Sequence, residues 1–291
     1  MRRSTGAEHP RVGGEDRRIT ALNERSLHDG RVTVVTQDAF TWMTAGGNGL
    51  FDVIVQGRGR GSSAVTGAVR EVAASGRATA RGVKRQFGVV DAVAAQVTGA
   101  QLVELAARPD VFAVTKDQLM TVAGGGGGSS TCSTCPFQGV YWPQLAGVAP
   151  FMPSPSKNAL PVPQAPAIAI VDSGIEGANT FFGGRVAAEI DLTTAGNNSP
   201  SDGYGHGTFV AGLAGGRVGN WGGASPTSKL VSLDVVDDDG RAVMSDVIAA
   251  ADWIYQNKDA YRIRVANFSL TGTEPTSFMF DPLDKAVERL W

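Results

Sequence analysis

The chain has 291 residues, 42% of them apolar, and a formal net charge of −2. Such a length buries a substantial core, in one large or two modest domains. The near balance of charge offers no footprint for nucleic acid or an anionic membrane surface, and no apolar run approaches the roughly 20 residues that span a bilayer.

Met1-Arg2-Arg3 resembles the charged start of a leader, but Ser4 to Arg31 is polar and supplies no apolar segment, so no signal peptide is read. Residues 1–48, rich in Arg, Asp, Glu and Gly, are expected to be a disordered leader. Phe51-Asp52-Val53-Ile54-Val55-Gln56 reads as a strand, and Val65, Val69 and Val72 fall at helical spacing within Ser62 to Ser75. Val83 to Val93 is a β-rich run. Thr98-Gly99-Ala100-Gln101 is a capping box that opens a helix through Leu102, Leu105 and Ala106, which Pro109 ends. Val111 to Val114 is a further strand. This order predicts a small α+β sandwich of ferredoxin-like type over residues 49–122.

Residues 123–166 turn to Gly, Ser and Pro, with Pro150, Pro153, Pro155, Pro161, Pro163 and Pro166 disfavouring regular elements, and are expected to be a linker open to proteolysis. The only cysteines, Cys132 and Cys135, lie there. With His9, His28 and His206 the only histidines, no four-ligand zinc site is assembled, and a local disulfide or two idle thiols is expected. From Ala167 onward, apolar runs (Ala167 to Val171, Leu230 to Val236, Val265 to Leu270) alternate with helical patterns (His206 to Ala214, Ser245 to Gln256). Such alternation predicts an α/β domain with a parallel sheet and helices on both faces over residues 167–291. No internal repeat is evident.

Asp172 closes the run Ala167-Ile168-Ala169-Ile170-Val171 and so stands at the carboxyl end of a strand, where open α/β sheets place catalytic groups. Alone it reads rather as a helix- or turn-capping carboxylate before Ser173-Gly174. His206 follows 34 residues later. Glycines flank it, and it begins a helix whose Gly207, Ala211 and Gly212 permit close packing. A histidine so placed can act as general base while a buried carboxylate fixes its tautomer. The pair predicts a carboxylate of Asp172 within about 2.6–3.2 Å of His206 Nδ1.

Asp172-Ser173-Gly174-Ile175 and His206-Gly207-Thr208-Phe209-Val210-Ala211-Gly212 resemble the Asp and His boxes of the subtilisin-like serine peptidases, the subtilase family. Leu230 to Val235 resembles the next strand of that fold. Val265 to Leu270 resembles the strand that pairs with an extended peptide substrate, and makes Ser269, Leu270 and Thr271 the candidate substrate-binding residues. The resemblance implies a serine endopeptidase acting on extended polypeptides, and an extracellular location. It implies that the 49–122 domain is a propeptide bound in its own cleft, with an unrelated accessory domain as the alternative. It names no cofactor, and leaves a structural calcium open without pointing to residues for it.

The sequence also departs from the family. Phe209 replaces the second histidine of His-Gly-Thr-His, and Thr271 stands where glycine is usual. The oxyanion asparagine and the Gly-Thr-Ser nucleophile box are not found up to Trp291. The expectation is therefore a truncated precursor, inactive as given, whose alternative is an inactive pseudo-peptidase or a peptide- or protein-binding module. Ser225, in Gly223-Ala224-Ser225-Pro226, lacks the final glycine of a nucleophile elbow. Gly57-Arg58-Gly59-Arg60-Gly61-Ser62 has the outline of a phosphate-binding turn but reads as a loop. Asp234 to Gly240 fails the spacing of a calcium loop and reads as turn chemistry.

Overall fold

A computed structural model describes residues 34–35, 49–59, 61–75, 82–123, 147, 165–218, 221–274 and 276–291. Nearly all of the expected leader and most of the expected linker, including Cys132 and Cys135, lie outside the described residues. In chain order the elements begin with β1 (Val34–Val35), β2 (Leu50–Gly57), α1 (Ser63–Ser75), β3 (Gly82–Gln86), β4 (Ala92–Thr98), α2 (Gly99–Ala106) and β5 (Val111–Lys116). They continue with β6 (Leu119–Val122), β7 (Ala167–Asp172), β8 (Val186–Asp191), α3 (His206–Gly215), β9 (Arg217–Val218), β10 (Trp221–Gly222) and β11 (Leu230–Asp234). The last are β12 (Arg241–Val243), α4 (Met244–Asn257), β13 (Ile263–Phe268), β14 (Leu270–Gly272) and α5 (Pro282–Leu290). They fall into two compact units: one runs to Gln118 and includes Glu274–Trp291, and the other is Leu119–Thr273.

The first unit is built on a five-stranded sheet in the order β1-β5-β2-β4-β3. β2 lies antiparallel to both β4 and β5, and β3 antiparallel to β4. Alternation decides which residues face the helices: Val53 and Val55 of β2, with Val93, Ala95 and Val97 of β4, share one core with Val65, Val69 and Val72 of α1 and with Leu102 and Leu105 of α2. Each such valine or leucine contributes roughly 1.5–3 kcal/mol of apolar transfer free energy. The β-rich run from Val83 to Val93 is two strands and not one. Between them the chain reverses at Gly88–Asp91, where Ala92 N–H donates to Val90 O at 2.9 Å. The capping box forms as read, with Thr98 N–H donating to Gln101 Oε1 at 2.8 Å and Gln101 N–H to Thr98 Oγ1 at 3.3 Å.

α5 also belongs to this unit. Asp281 caps it by accepting from Leu283 N–H at 2.8 Å, and Pro282 occupies the first turn, where no N–H is missed. Lys285 Nζ donates to Gln56 Oε1 at 2.7 Å and sits 4.2 Å from the ring centre of Phe112, fixing the helix against β2 and β5.

In the second unit, β13-β7-β11-β8 form a wholly parallel sheet. Every residue of β7 is buried, which is why its sequence is a continuous apolar run, whereas β8 at the edge alternates between half-buried and exposed. Ile168 and Ile170 pack with Ala211 of α3. α4 buries Val247, Ile248, Ala250, Ala251 and Ile254.

A second, small sheet has the order β12-β6-β14, with β6 antiparallel to both neighbours. Leu119–Val122, read from sequence as the end of the 49–122 domain, thus pairs within the second unit. Here the structure also corrects the expected peptide-pairing strand. Residues 263–268 form an edge strand of the parallel sheet, paired with β7, and the separate strand Leu270–Gly272 makes the antiparallel pairing, with Leu270 opposite Val122 and Thr271 opposite Thr121.

Candidate active site

β7 delivers Asp172 to the carboxyl edge of the sheet, and the tight turn after it depends on Gly174. Its φ is +92°, and a Cβ there would lie 1.7 Å from Ser201 O. α3 begins at His206 after Gly205, whose φ of +91° turns the chain into the helix. Gly207 lets the first turn of α3 approach the Asp172 turn, since a Cβ would meet Gly174 O at 2.0 Å. Small residues in the His box are therefore a steric requirement of bringing the helix to the strand end.

The consequence is a 2.7 Å contact between His206 Nδ1 and Asp172 Oδ1. With the carboxylate accepting, Nδ1 carries the proton, and in the neutral form of the ring Nε2 is then the proton acceptor. Asp172 is fully buried, and Oδ1 also accepts from Ser173 N–H at 2.8 Å. Oδ2 is buried with no hydrogen bond to a described residue. Burial pushes the Asp172 carboxyl above its ordinary value, opposed by the bonds from His206 and Ser173 N–H.

Ser269 is placed at the same edge. Phe268 of β13 stands opposite Val171, so the next residue leaves the sheet at the level of Asp172. Ser269 O accepts from Ala123 N–H at 2.7 Å, continuing the antiparallel ladder made by Leu270 and Thr271 with β6. β12 leaves from the other side of β7, after β11, whose Asp234 is opposite Asp172. The two walls of the groove thus extend from the two neighbours of the strand that carries Asp172, and β6 lies between them. Met120 and Val122 are buried, while Leu119 and Thr121 are exposed.

Other candidates are placed elsewhere. Ser225 N–H donates to Ala214 O, near the far end of α3, roughly 12 Å along the helix from His206. In the Gly57–Ser62 run, the Gly59 N–H is already taken by a side chain, donating to Asp91 Oδ2 at 2.5 Å. Asp237 accepts from the N–H groups of Asp239 at 3.0 Å and Arg241 at 2.8 Å, the turn chemistry read from sequence. Among the described residues no group of three or more His, Cys, Asp or Glu is arranged to hold a metal ion.

Sequence reasoning missed Asp202. Its carboxylate accepts three hydrogen bonds around the start of α3. An aspartate followed by Gly203-Tyr204-Gly205 directly before a helix is the available signal.

The model of the subtilase family matches residues 164–289, which hold both boxes and the strands between them. That segment belongs to the subtilase family. Alkaline serine exoprotease A of Vibrio alginolyticus is 35% identical over 119 residues, covering 41% of this chain and 20% of its own length. Proteinase T of Parengyodontium album is 39% identical over 106 residues, covering 35% of this chain and 34% of its own. A cold adapted subtilisin-like serine proteinase of known structure is 32% identical and aligns over 31% of this chain and 32% of its own, with a TM-score of 0.28. The chain thus spans between 20% and 34% of the length of these two curated relatives. Proteolysis is the chemistry named in both curated relatives, and a serine enzyme in the first of them.

Proposed function

We propose that this chain carries the base and the orienting carboxylate of a serine endopeptidase that cleaves extended polypeptides. The observation that carries the reading is the 2.7 Å contact between His206 Nδ1 and Asp172 Oδ1, which leaves Nε2 as a proton acceptor. In the reaction, Nε2 removes the proton from a serine hydroxyl as its oxygen adds to the peptide carbonyl carbon. It then gives that proton to the departing amine. Water next attacks the acyl-serine, again through Nε2. Asp172 holds the ring in the required tautomer and balances the imidazolium formed at each step. The nucleophile is a serine of a Gly-Thr-Ser box, which residues 1–291 do not contain.

The peptide is held as an added strand, its backbone pairing with Ser269, Leu270 and Thr271 on one side and with β12 on the other. β6 supports this reading because a segment of the chain already lies in that groove as a substrate would. The strand-helix-strand-strand-helix-strand order of β2 to β5, with sheet neighbours β5-β2-β4-β3, supports a ferredoxin-like propeptide. In this reading the propeptide places its last strand in the cleft and is cut free between Val122 and Pro166. Secretion accords with a relative named a minor extracellular protease, from Bacillus subtilis, 28% identical over 131 residues. No described helix is long and apolar enough to cross a membrane.

Degradation of casein by the protein purified from its native source, abolished in the His206→Ala and Asp172→Ala variants, tests the proposal. Degradation that persists without His206 overturns it. Tight peptide binding with no hydrolysis favours the binding module.

A further inference from the structure

We infer that Asp202 is a positioning residue for the Asp172–His206 pair, a role that takes its functional meaning from the proposed catalytic reading. Asp202 Oδ1 accepts from Ser173 Oγ–H at 2.8 Å and from Gly205 N–H at 2.7 Å, and Oδ2 accepts from Thr208 N–H at 2.7 Å. Ser173 Oγ in turn accepts from Gly207 N–H at 2.9 Å. The residue after Asp172 and the residues on both sides of His206 are therefore tied, directly or through one hydroxyl, to a single carboxylate.

The tie answers a need created by the sequence. α3 begins at a glycine that has no side chain to cap it. Its first N–H groups must find acceptors, and the partial positive charge at the helix start favours an anion. Asp202 supplies both, and Ser173 transmits the restraint to the strand end. Glu176 N–H also donates to Thr208 Oγ1 at 2.8 Å, so the helix keeps a second link to the segment after β7 when Asp202 is altered. That link reaches Thr208; the bond from Gly207 N–H to Ser173 Oγ also remains, but the Ser173 hydroxyl then lacks the acceptor that fixes its rotamer, and Gly205 N–H loses its acceptor. Losing Asp202 thus leaves α3 docked but slackens the Nδ1 to Oδ1 register, and catalytic geometry is lost over displacements of about 1 Å.

The test reads the hydrogen bond itself, so it does not depend on peptidase activity. In the full chain labelled with 15N-histidine, the His206 signal is assigned by its absence in His206→Gln, and solvent exchange of its Nδ1 proton is measured at fixed pH. Asp202→Ala is expected to exchange about tenfold faster while circular dichroism shows the fold retained. Asp202→Asn, which keeps one acceptor oxygen, is expected to fall between. Exchange in Asp202→Ala at the unaltered rate overturns the inference and leaves the Asp–His reading intact. Loss of the protected proton in the unaltered chain overturns the Asp–His reading itself. If Asp202→Ala does not fold, Asp202→Asn carries the test, and an unaltered rate there overturns the inference.

Discussion

Asp234 stands directly opposite Asp172 in the register of β11 and β7, and opposite Asp191 in the register of β11 and β8. Three neighbouring parallel strands thus end in carboxylates. The middle one is buried and lifted from 3.8 to about 7, chiefly by desolvation and further by Asp191 and Asp202, against the bonds from Asn198 and Val236 N–H.

The lifted group makes stability depend on pH in a fixed direction. Below about pH 4 Asp234 is protonated in both folded and unfolded chains. As pH rises toward 7 the unfolded chain ionises it first, so its stabilising contribution is lost over that window. Asp234→Asn should remove this part of the slope. Thermal melts of both proteins at intervals from about pH 4 to about pH 8 check it. Parallel curves would exclude Asp234 as the source.

Asp172→Asn retains the shape of the side chain and presents His206 with an amide in place of a carboxylate. On the proposed peptidase reading, kcat should fall on the order of 10⁴-fold with KM little changed, as in the Ser-His-Asp triad. Steady-state kinetics on a short peptide distinguishes this from a binding defect. A change confined to KM would place Asp172 outside the chemistry.

Two glycines of one helix should respond in opposite senses. Gly207→Ala drives a methyl group against Gly174 O, at 2.0 Å before relaxation, and should cost about 1–3 kcal/mol or more. Gly212→Ala meets nothing within 4 Å and should gain roughly 0.5–1 kcal/mol from helix propensity. Urea denaturation of both variants reads the contrast, and a shared sign would contradict the close approach of α3 to the strand end.

The alternation in β6 predicts which positions tolerate charge. Val122→Asp and Met120→Asp bury an unpaired carboxylate and should release the strand, whereas Thr121→Asp should leave it seated. Hydrogen exchange of residues 119–122 and 270–272 is the measurement. Equal protection in all three variants would mean that burial at these positions does not hold the strand.

Legibility from sequence followed the range of the interactions involved. The capping box at Thr98, the valine spacing of α1 and the apolar run of β7 are local patterns, and each is present as read. The Asp172–His206 contact was legible because both residues sit at element ends in short boxes of constrained glycines. β12 and β14 left no periodic trace: each is three residues long and gains its strand character from β6, more than a hundred residues away in sequence. β8 hid because an edge strand with alternating Ala, Glu and Asp lacks the apolar density of its neighbours. Asp202 escaped notice because a polar loop residue shows its role only through partners on two other elements.

Seating β6 between β12 and β14 satisfies the backbone edges of two short strands that pair with no other described strand. Short as they are, these edges would be adhesive when bare, the kind of surface through which chains join in unwanted assemblies. On the proposed reading, an occupant of that groove, whether β6 or an incoming peptide, should also keep copies of this chain apart. Solutions in which the groove is emptied faster than it is refilled should cloud before they unfold.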